Sequence, residues 1–436
     1  MADGIFQIEA LAFGGKGIAR EHGKVWFIPD TVPGDVVRAE RVNDTDRYGD
    51  AKLVEMITPS PSRGHVACAV ASVCGGCQWL GIDYAKQLEW KLGFVTSALQ
   101  RIGKLTLGTP ATILPSPDTS GYRNRVLVRM HINTDTTGTG SRVGYFQRGT
   151  HVLVDVATCH IAAPELNAVI GRLRGLDTSG LPATTIRIEI QVVERQADGG
   201  RGVTLTVYPA EGGEDAARAF LACLSQAPWP ELVWAGLVFD LPEAPLVVFD
   251  RDSSVTYLTL PGQFQQVNVA HNRSLRALVK RIVDDARPMR VLDVACGSGN
   301  LSLQLADGER YVEGIEVSKK AILCAWRSAE ASGIQQVNYL TGDAEKHLWK
   351  CSKAGEKFDM VILDPPRQGF YGGMVPLKNL APKDIVYVSC DPTTLARDLG
   401  YLCRKNFYKI LSVTALDFFP NTYHVETVVH LVRQDA

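Results

Sequence analysis

The sequence predicts an α/β protein of several domains: a doubly wound parallel sheet at the C-terminal end, a β-rich middle part and a small β-barrel in front. Three patterns carry this reading. From Ser274 onward, apolar strands at 291–294, 311–315, 360–363 and 385–388 alternate with helical stretches, as strands joined by helical crossovers do. Between 112 and 255 strand-like runs dominate, at 124–132, 152–156, 185–193, 202–208, 233–239 and 255–259. Ahead of residue 58, short apolar runs alternate with turn signals. A chain of 436 residues exceeds one ordinary core, so the patterns are assigned to domains over 1–58, 59–258 and 259–436, the last of them Rossmann-like.

In the first segment, Val25-Trp26-Phe27-Ile28-Pro29, Val36-Val37-Arg38-Ala39-Glu40 and 51–57 read as strands, with turns at Gly14-Gly15-Lys16-Gly17 and Pro33-Gly34-Asp35. Strands this short suit a partly open barrel of the OB type. The segment resembles a TRAM domain, an RNA-binding module of tRNA- and rRNA-modifying enzymes. Its acidic residues outnumber its basic ones, so shape rather than charge carries the likeness. Pro59-Ser60-Pro61-Ser62 forms a linker, and Leu88, Leu92, Val95 and Leu99 then recur at helical spacing over 84–102.

Hydrophobic residues make up 45% of the chain and charged ones 21%, a globular balance. With 46 Lys+Arg against 47 Asp+Glu the net charge is −1, so any nucleic-acid footprint must be local. The first residues lack a basic segment followed by an apolar run, and the apolar stretch 232–248 is interrupted by Asp240 and Glu243. A cytoplasmic, monomeric protein with no membrane partner is expected. Ten cysteines are too sparse for a disulfide scaffold and are read as chemistry.

Arg290-Val291-Leu292-Asp293-Val294 runs into Ala295-Cys296-Gly297-Ser298-Gly299-Asn300, with a helix expected to open at Leu301. Glycines at 297 and 299 let backbone approach a ligand at the carboxyl edge of the sheet. Glu316, 23 positions after Asp293, is placed to hold the ribose hydroxyls of a nucleoside cofactor. Ser302 stands where a dinucleotide site has its third glycine, which favours S-adenosylmethionine over NAD; a tight turn without ligand is the plain alternative. Asp343 and Asp364-Pro365-Pro366-Arg367 follow the next two strands and turn further carboxylates to the same crevice. Ile385-Val386-Tyr387-Val388-Ser389 then delivers Cys390, and Asp391-Pro392 stops the strand. On position alone this thiol is either a nucleophile facing the crevice or a packed one.

Cys68, Cys74 and Cys77 are close enough to share an inorganic centre, completed by a fourth ligand for which Cys159 is the candidate. Zinc also takes four thiolates, although the first gap is longer than its usual spacing. Cys223, Cys296, Cys324, Cys351 and Cys403 are isolated and read as packing residues. Between Tyr122 and Arg148, Arg123, Arg125, Arg129, Arg142 and Arg148 are interleaved with Tyr145 and Phe146 and opposed by Asp135 alone. That mixture suits phosphate contact with base stacking, or an ordinary solvated hairpin.

These motifs resemble those of the RNA uracil-5-methyltransferases, in particular the 23S rRNA branch and its tRNA relative, over nearly the whole length. They are Cys-x5-Cys-Gly-Gly-Cys from Cys68 to Cys77, Gln263-Phe264-Gln265-Gln266-Val267-Asn268, Asp364-Pro365-Pro366-Arg367, Val388-Ser389-Cys390-Asp391-Pro392 and His424-Val425-Glu426. The resemblance implies methyl transfer from S-adenosylmethionine to C5 of a uridine in 23S rRNA, with tRNA as the alternative. Cys390 matches the nucleophile that adds to C6, and Glu426 the base that removes the C5 proton. An unperturbed carboxylate is ionised at neutral pH, so Glu426 is expected to need no tuning. Gln266, Ala295, Asn300, Glu316, Asp343 and Asp364 match positions that hold the cofactor or the base. Cys68, Cys74, Cys77 and Cys159 match ligands of a 4Fe-4S cluster, and the helix over 84–102 is expected to join the last domain.

Two departures stand out: Ala295 replaces a common aromatic, and Gln78-Trp79-Leu80-Gly81 replaces a segment that usually carries Gln-His. A cytosine-5 RNA methyltransferase would also use a cysteine but is disfavoured by Asp364-Pro365-Pro366-Arg367 and Glu426. A non-catalytic RNA-binding protein is disfavoured by Cys390 together with Glu426.

Overall fold

Period-two burial, with Trp26, Ile28, Val37, Ala39 and Ala51 turned inward, organises the first part of the chain. In the computed structural model, which describes residues 3–133, 141–195, 198–226, 229–252 and 254–434, this part forms six strands. They are β1 (Asp3–Gln7), β2 (Ala10–Leu11), β3 (Gly17–Glu21), β4 (Lys24–Ile28), β5 (Val36–Asp44) and β6 (Tyr48–Thr58), in the order β1-β5-β6-β4-β3-β2. The chain between β1 and β2 closes the sheet: Ile8 N–H donates to the Asp35 carbonyl and Glu9 N–H to that of Ile18, both at 2.9 Å. Gly49 makes room for the central Trp26, whose ring would lie 2.3 Å from any Cβ there.

Next come α1 (Tyr84–Arg101), capped by the Asp83 carboxylate, and the short β7 (Thr112–Leu114). A second sheet follows, from β8 (Arg125–Ile132), β9 (Ser141–Phe146), β10 (Leu153–Asp155), α2 (Pro164–Arg174), β11 (Thr184–Glu194) and β12 (Arg201–Tyr208). The chain continues through α3 (Glu214–Ser225), β13 (Leu232–Leu237), β14 (Val247–Arg251) and β15 (Thr256–Thr259). The strand order is β10-β9-β8-β11-β12-β13, with β14 and β15 branching from β11. Val126, Val128, Met130 and Ile132 of β8 and Ile186, Ile188 and Ile190 of β11 bury one face beneath α2 and α3. Strands dominate the sequence pattern here, and the structure adds two amphipathic helices that cover the sheet. The expected strand at 233–239 ends at Leu237 and passes into a 3₁₀ turn, Val238–Glu243.

The last sheet follows α4 (Val269–Ala286). Its elements are β16 (Arg290–Val294), β17 (Tyr311–Glu316), α5 (Lys319–Ala331), β18 (Val337–Thr341), α6 (Ala344–Ala354) and β19 (Met360–Leu363). After these come α7 (Met374–Leu380), β20 (Asp384–Ser389), α8 (Pro392–Leu402), β21 (Tyr408–Leu416) and β22 (Glu426–Arg433). The order is β18-β17-β16-β19-β20-β22-β21-β7. The strands β16 to β20 run parallel, as the alternation of strands and helices predicts, and β22 joins them antiparallel to β20 and to β21. The connection 417–425 is too short for a parallel crossover, which takes a dozen residues or more. The helix expected at Leu301 is a single 3₁₀ turn, Leu303–Leu305. Leu301, Leu303 and Leu305 are all buried, a spacing of two that no α-helix can place on one face. Helix α1 packs on α8 and adds Val95, Ala98 and Leu99 to the core of this sheet, and β7 pairs in parallel with β21. Among the described residues no helix is long and apolar enough to cross a membrane.

Candidate active site

The parallel strands all finish at one edge, and β22, running the other way, begins there. Ser389 is in register with Thr427, so Cys390 and Glu426 are the next residues out on adjacent strands. Asp364 leaves the neighbouring β19, its N–H donating to the Val294 carbonyl at 3.2 Å. Three candidate side chains from three successive loops and strand ends thus share one lip of the sheet. Burial pushes Glu426 well above the ordinary carboxylate range; Asp364 raises it further, and the Arg367 guanidinium pulls it back. The expectation that Glu426 needs no tuning is therefore corrected: at 4% exposure its charge has lost most of its water. Asp364 is itself raised to about 7 by burial and by Asp293. Burial, then Glu426, push the Cys390 thiol up to about 12, with Arg367 opposing. These groups feel one another, so proton position within the set depends on what occupies the crevice.

Beside them the turn after β16 takes left-handed backbone at Ala295, Gly297 and Gly299 (φ 61°, 55° and 79°). A side chain at Ala295 adopts this region only at a cost of about 1 kcal/mol. Glu316 braces the turn, accepting from Gly297 N–H at 3.3 Å and from Ser318 N–H at 2.9 Å. Asn300 is locked in a reciprocal amide pair with Asn272, at 2.8 and 2.9 Å, and is reached by Arg276 at 3.4 Å. Gln266 is half-buried beside Gln265, whose amide donates to Thr259 Oγ1 at 2.9 Å and to Ser298 Oγ at 3.2 Å. Asp343 is exposed and caps α6, accepting from Lys346 N–H at 2.9 Å.

The structure adds Gln265, Asn272, Arg276 and Arg367 as side chains that hold or polarise the site. Gln265 and Arg367 lie inside motifs visible in the sequence; Asn272 and Arg276 sit one turn apart on α4 and carry no local signal.

Cys68, Cys74, Cys77 and Cys159 line one cavity of about 250 Å³ together with Arg123 and Tyr145. Turns bring them there: Cys74 N–H donates to the Val70 carbonyl at 2.8 Å, and Asn167 Oδ1 accepts from Cys159 N–H at 2.7 Å. Burial raises the thiols of Cys74 and Cys77, the latter to about 12, and repulsion between the cysteines adds to it. A second group of potential ligand atoms, those of Glu313, His347 and Cys351, lies elsewhere, all within 4.8 Å of one another. The Glu313 group satisfies itself: His347 Nε2 lies 2.9 Å from the Glu313 carboxylate and 3.4 Å from Cys351 Sγ.

The basic stretch between Tyr122 and Arg148 divides. Arg123 faces the cysteine cavity, Arg148 pairs with Asp30 of the barrel, and the Tyr145 hydroxyl is buried toward Cys159. These three are therefore turned away from a shared phosphate-contacting surface: Arg123 and Arg148 lie in turns outside β8 and β9, and Tyr145 points to the covered face of β9. Asp135 lies outside the described residues.

A family model for tRNA (Uracil-5-)-methyltransferase matches residues 240–434. An uncharacterized RNA methyltransferase of Nostoc sp. is 32% identical across 98% of this chain and 96% of its own. A 23S rRNA (uracil(1939)-C(5))-methyltransferase RlmD of Xanthomonas campestris is 31% identical across 97% of this chain and 95% of its own. The solved tRNA (uracil-54, C5)-methyltransferase of Pyrococcus abyssi, bound to S-adenosyl-L-homocysteine, covers 99% of this chain and 100% of its own at 25% identity and a TM-score of 0.69. With an acidic, glycine-turned crevice at the sheet edge and relatives matched end to end, the chain belongs to the S-adenosylmethionine-dependent RNA uracil-5-methyltransferases.

Proposed function

We propose that this enzyme methylates C5 of a uridine in 23S rRNA through a covalent bond between Cys390 and C6. The observation that carries the mechanism is the meeting of Cys390, Glu426, Asp364 and Arg367 at one lip. S-adenosylmethionine, when bound, supplies the electrophilic methyl group. Cys390 adds to C6 as a thiolate, which makes C5 nucleophilic; Arg367 favours the charged form of the thiol. Glu426 then takes the C5 proton, and the C6–sulfur bond breaks to release the product. A carboxylate held above its normal range is a stronger base once ionised, which suits a carbon acid.

Gln266, Ala295, Asn300, Glu316, Asp343 and Asp364 are the residues assigned to the cofactor and the target base. The four cysteines that line one cavity are assigned to a 4Fe-4S cluster, which takes four thiolate ligands. The barrel is assigned the RNA-binding role of a TRAM domain.

The rRNA assignment rests on the RlmD relatives, and the tRNA reading on the Pyrococcus enzyme. Mass spectrometry of both RNAs from a deletion strain tests it. 5-Methyluridine should disappear from one site in 23S rRNA and return with the wild-type gene but not with Cys390→Ala. Loss confined to tRNA would overturn the substrate, and rescue by Cys390→Ala would overturn the nucleophile.

A further inference from the structure

The second sheet has one helix-covered face and an opposite face left open along β8, where Leu127 is 40% exposed, and at Arg187, while Glu189, Gln191, Thr204 and Thr206 close it farther along β11 and β12. Since Val126, Val128, Met130 and Ile132 point into the core, Arg125, Leu127, Arg129 and His131 point away from it. Strand register extends this face sideways. Arg129 stands opposite Gly144 on one side and Arg187 on the other, Arg187 stands opposite Tyr208, and His131 stands opposite Arg142. Two arginines directly across a strand pair repel one another and weaken the sheet. Among the described residues neither Arg129, Arg187 nor Arg142 has a carboxylate in ion-pair contact; the nearby Glu189 is taken by Arg125 at 2.9 Å. Instead the guanidinium of Arg129 lies 4.8 Å from the Phe146 ring and that of Arg187 lies 5.1 Å from the Tyr208 ring.

At its other end the row reaches the crevice. Arg125 donates to the Gln263 carbonyl at 3.2 Å and lies 5.8 Å from the ring of Phe264, which is 72% exposed. The next residue, Gln265, is bonded to Ser298 in the cofactor turn. At about 3.3 Å per residue, the strand from Arg125 to His131 spans about 20 Å, room for a few nucleotides.

We propose that this open face is the track for the single-stranded RNA flanking the target uridine, with Arg142, Arg129 and Arg187 on phosphates, Phe146 and Tyr208 beneath bases, and Arg125 with Phe264 at the entrance to the crevice. The inference rests on the chain acting on RNA. A single strand fits better than a duplex because exposed bases can lie on the rings while the backbone follows the cations.

The test uses full-length, anaerobically purified enzyme and a single-stranded 23S rRNA oligonucleotide containing the methylated uridine, with anisotropy measured across a salt series. Arg129→Gln/Arg187→Gln should weaken binding at least tenfold and flatten the slope of log affinity against log salt by about 1.4, at about 0.7 per lost phosphate contact on a single strand. Phe146→Ala/Tyr208→Ala should weaken binding with the slope unchanged. Binding of S-adenosyl-L-homocysteine should stay at the wild-type value in both. Wild-type affinity and slope in the arginine pair variant would overturn the proposal, as would equal binding of the matching duplex. Photocrosslinking of 4-thiouridine RNA to the unmodified protein needs no variant: crosslinks should fall in the peptides carrying Phe146 and Tyr208, and their absence there would also overturn it. If wild-type enzyme neither binds nor methylates the oligonucleotide, the substrate assignment fails instead.

Discussion

Glu426 is asked to hold a charge where charge is expensive. Because its pKa is raised in the folded protein, the carboxylate stays protonated to a higher pH than a free glutamate, and the step that needs it as a base should fade as pH falls through that raised value. Two neighbours set the position of this limb. Asp364→Asn removes a like charge and should move it to lower pH, whereas Arg367→Gln removes a compensating cation and should move it higher. Single-turnover release of methylated RNA measured across pH reads both, and shifts in the same direction would refute the assignment. Glu426→Gln keeps the shape without the basicity. It should complete methyl transfer and then accumulate a denaturation-resistant protein–RNA adduct bearing the new methyl group, which Cys390→Ala should not form. Wild-type turnover by Glu426→Gln would pass the base to another group.

At the scale of single elements, the cysteine-bearing turns make a direct prediction. Protein purified without oxygen should contain about four iron atoms, and Cys159→Ser should lower that number while leaving Cys390 reactive. Stoichiometric zinc would exclude the cluster.

The same scale shows what could be read from the chain beforehand. Local signals were strong where an element stands alone: the apolar runs of β16, β19 and β20 and the spacing of Leu88, Leu92, Val95 and Leu99 in α1 all correspond to observed elements. Cys390 was legible because it ends a strand. Glu426 was legible only by resemblance, since its reach to Cys390 depends on β22 running antiparallel to β20, a pairing between segments that carries no local mark. The basic stretch carries no local mark of which residues share a face: Arg142 and Phe146 lie on one side of β9 and Tyr145 on the other. The partners of Asn300 are hidden for the same reason: Asn272 meets it only after α4 packs beside the glycine turn that follows β16.

Over the whole molecule, the barrel is seated near the catalytic lip. Phe13 lies edge-on to Phe94 of α1 and to Tyr423, three residues before Glu426, and the Asp35 carboxylate binds Arg63 at 2.7 Å. Phe13→Ala should therefore cost about 2 kcal/mol of stability, read as a lower Tm, and slow turnover by loosening the segment that carries Tyr423. Removing residues 1–58 should weaken RNA binding. It would also uncover Trp79 and Phe94, which pack with Val32 of the barrel, so the substitution is the cleaner probe.

The pairing of β7 with β21 has a consequence for how the protein is made. Thr112–Leu114 emerge from the ribosome early, but their partner strand follows roughly three hundred residues later, a wait on the order of 15–60 s at normal elongation rates. The barrel and the second sheet have all their own strands by then and can form first. Helix α1, with the apolar side that will meet α8, must stay unsatisfied until the C-terminus is synthesised, which makes it the natural place for a chaperone to bind. A fragment beginning at residue 259 lacks both α1 and β7. Expressed alone, it should be insoluble, and co-expression with residues 84–114 should recover part of it.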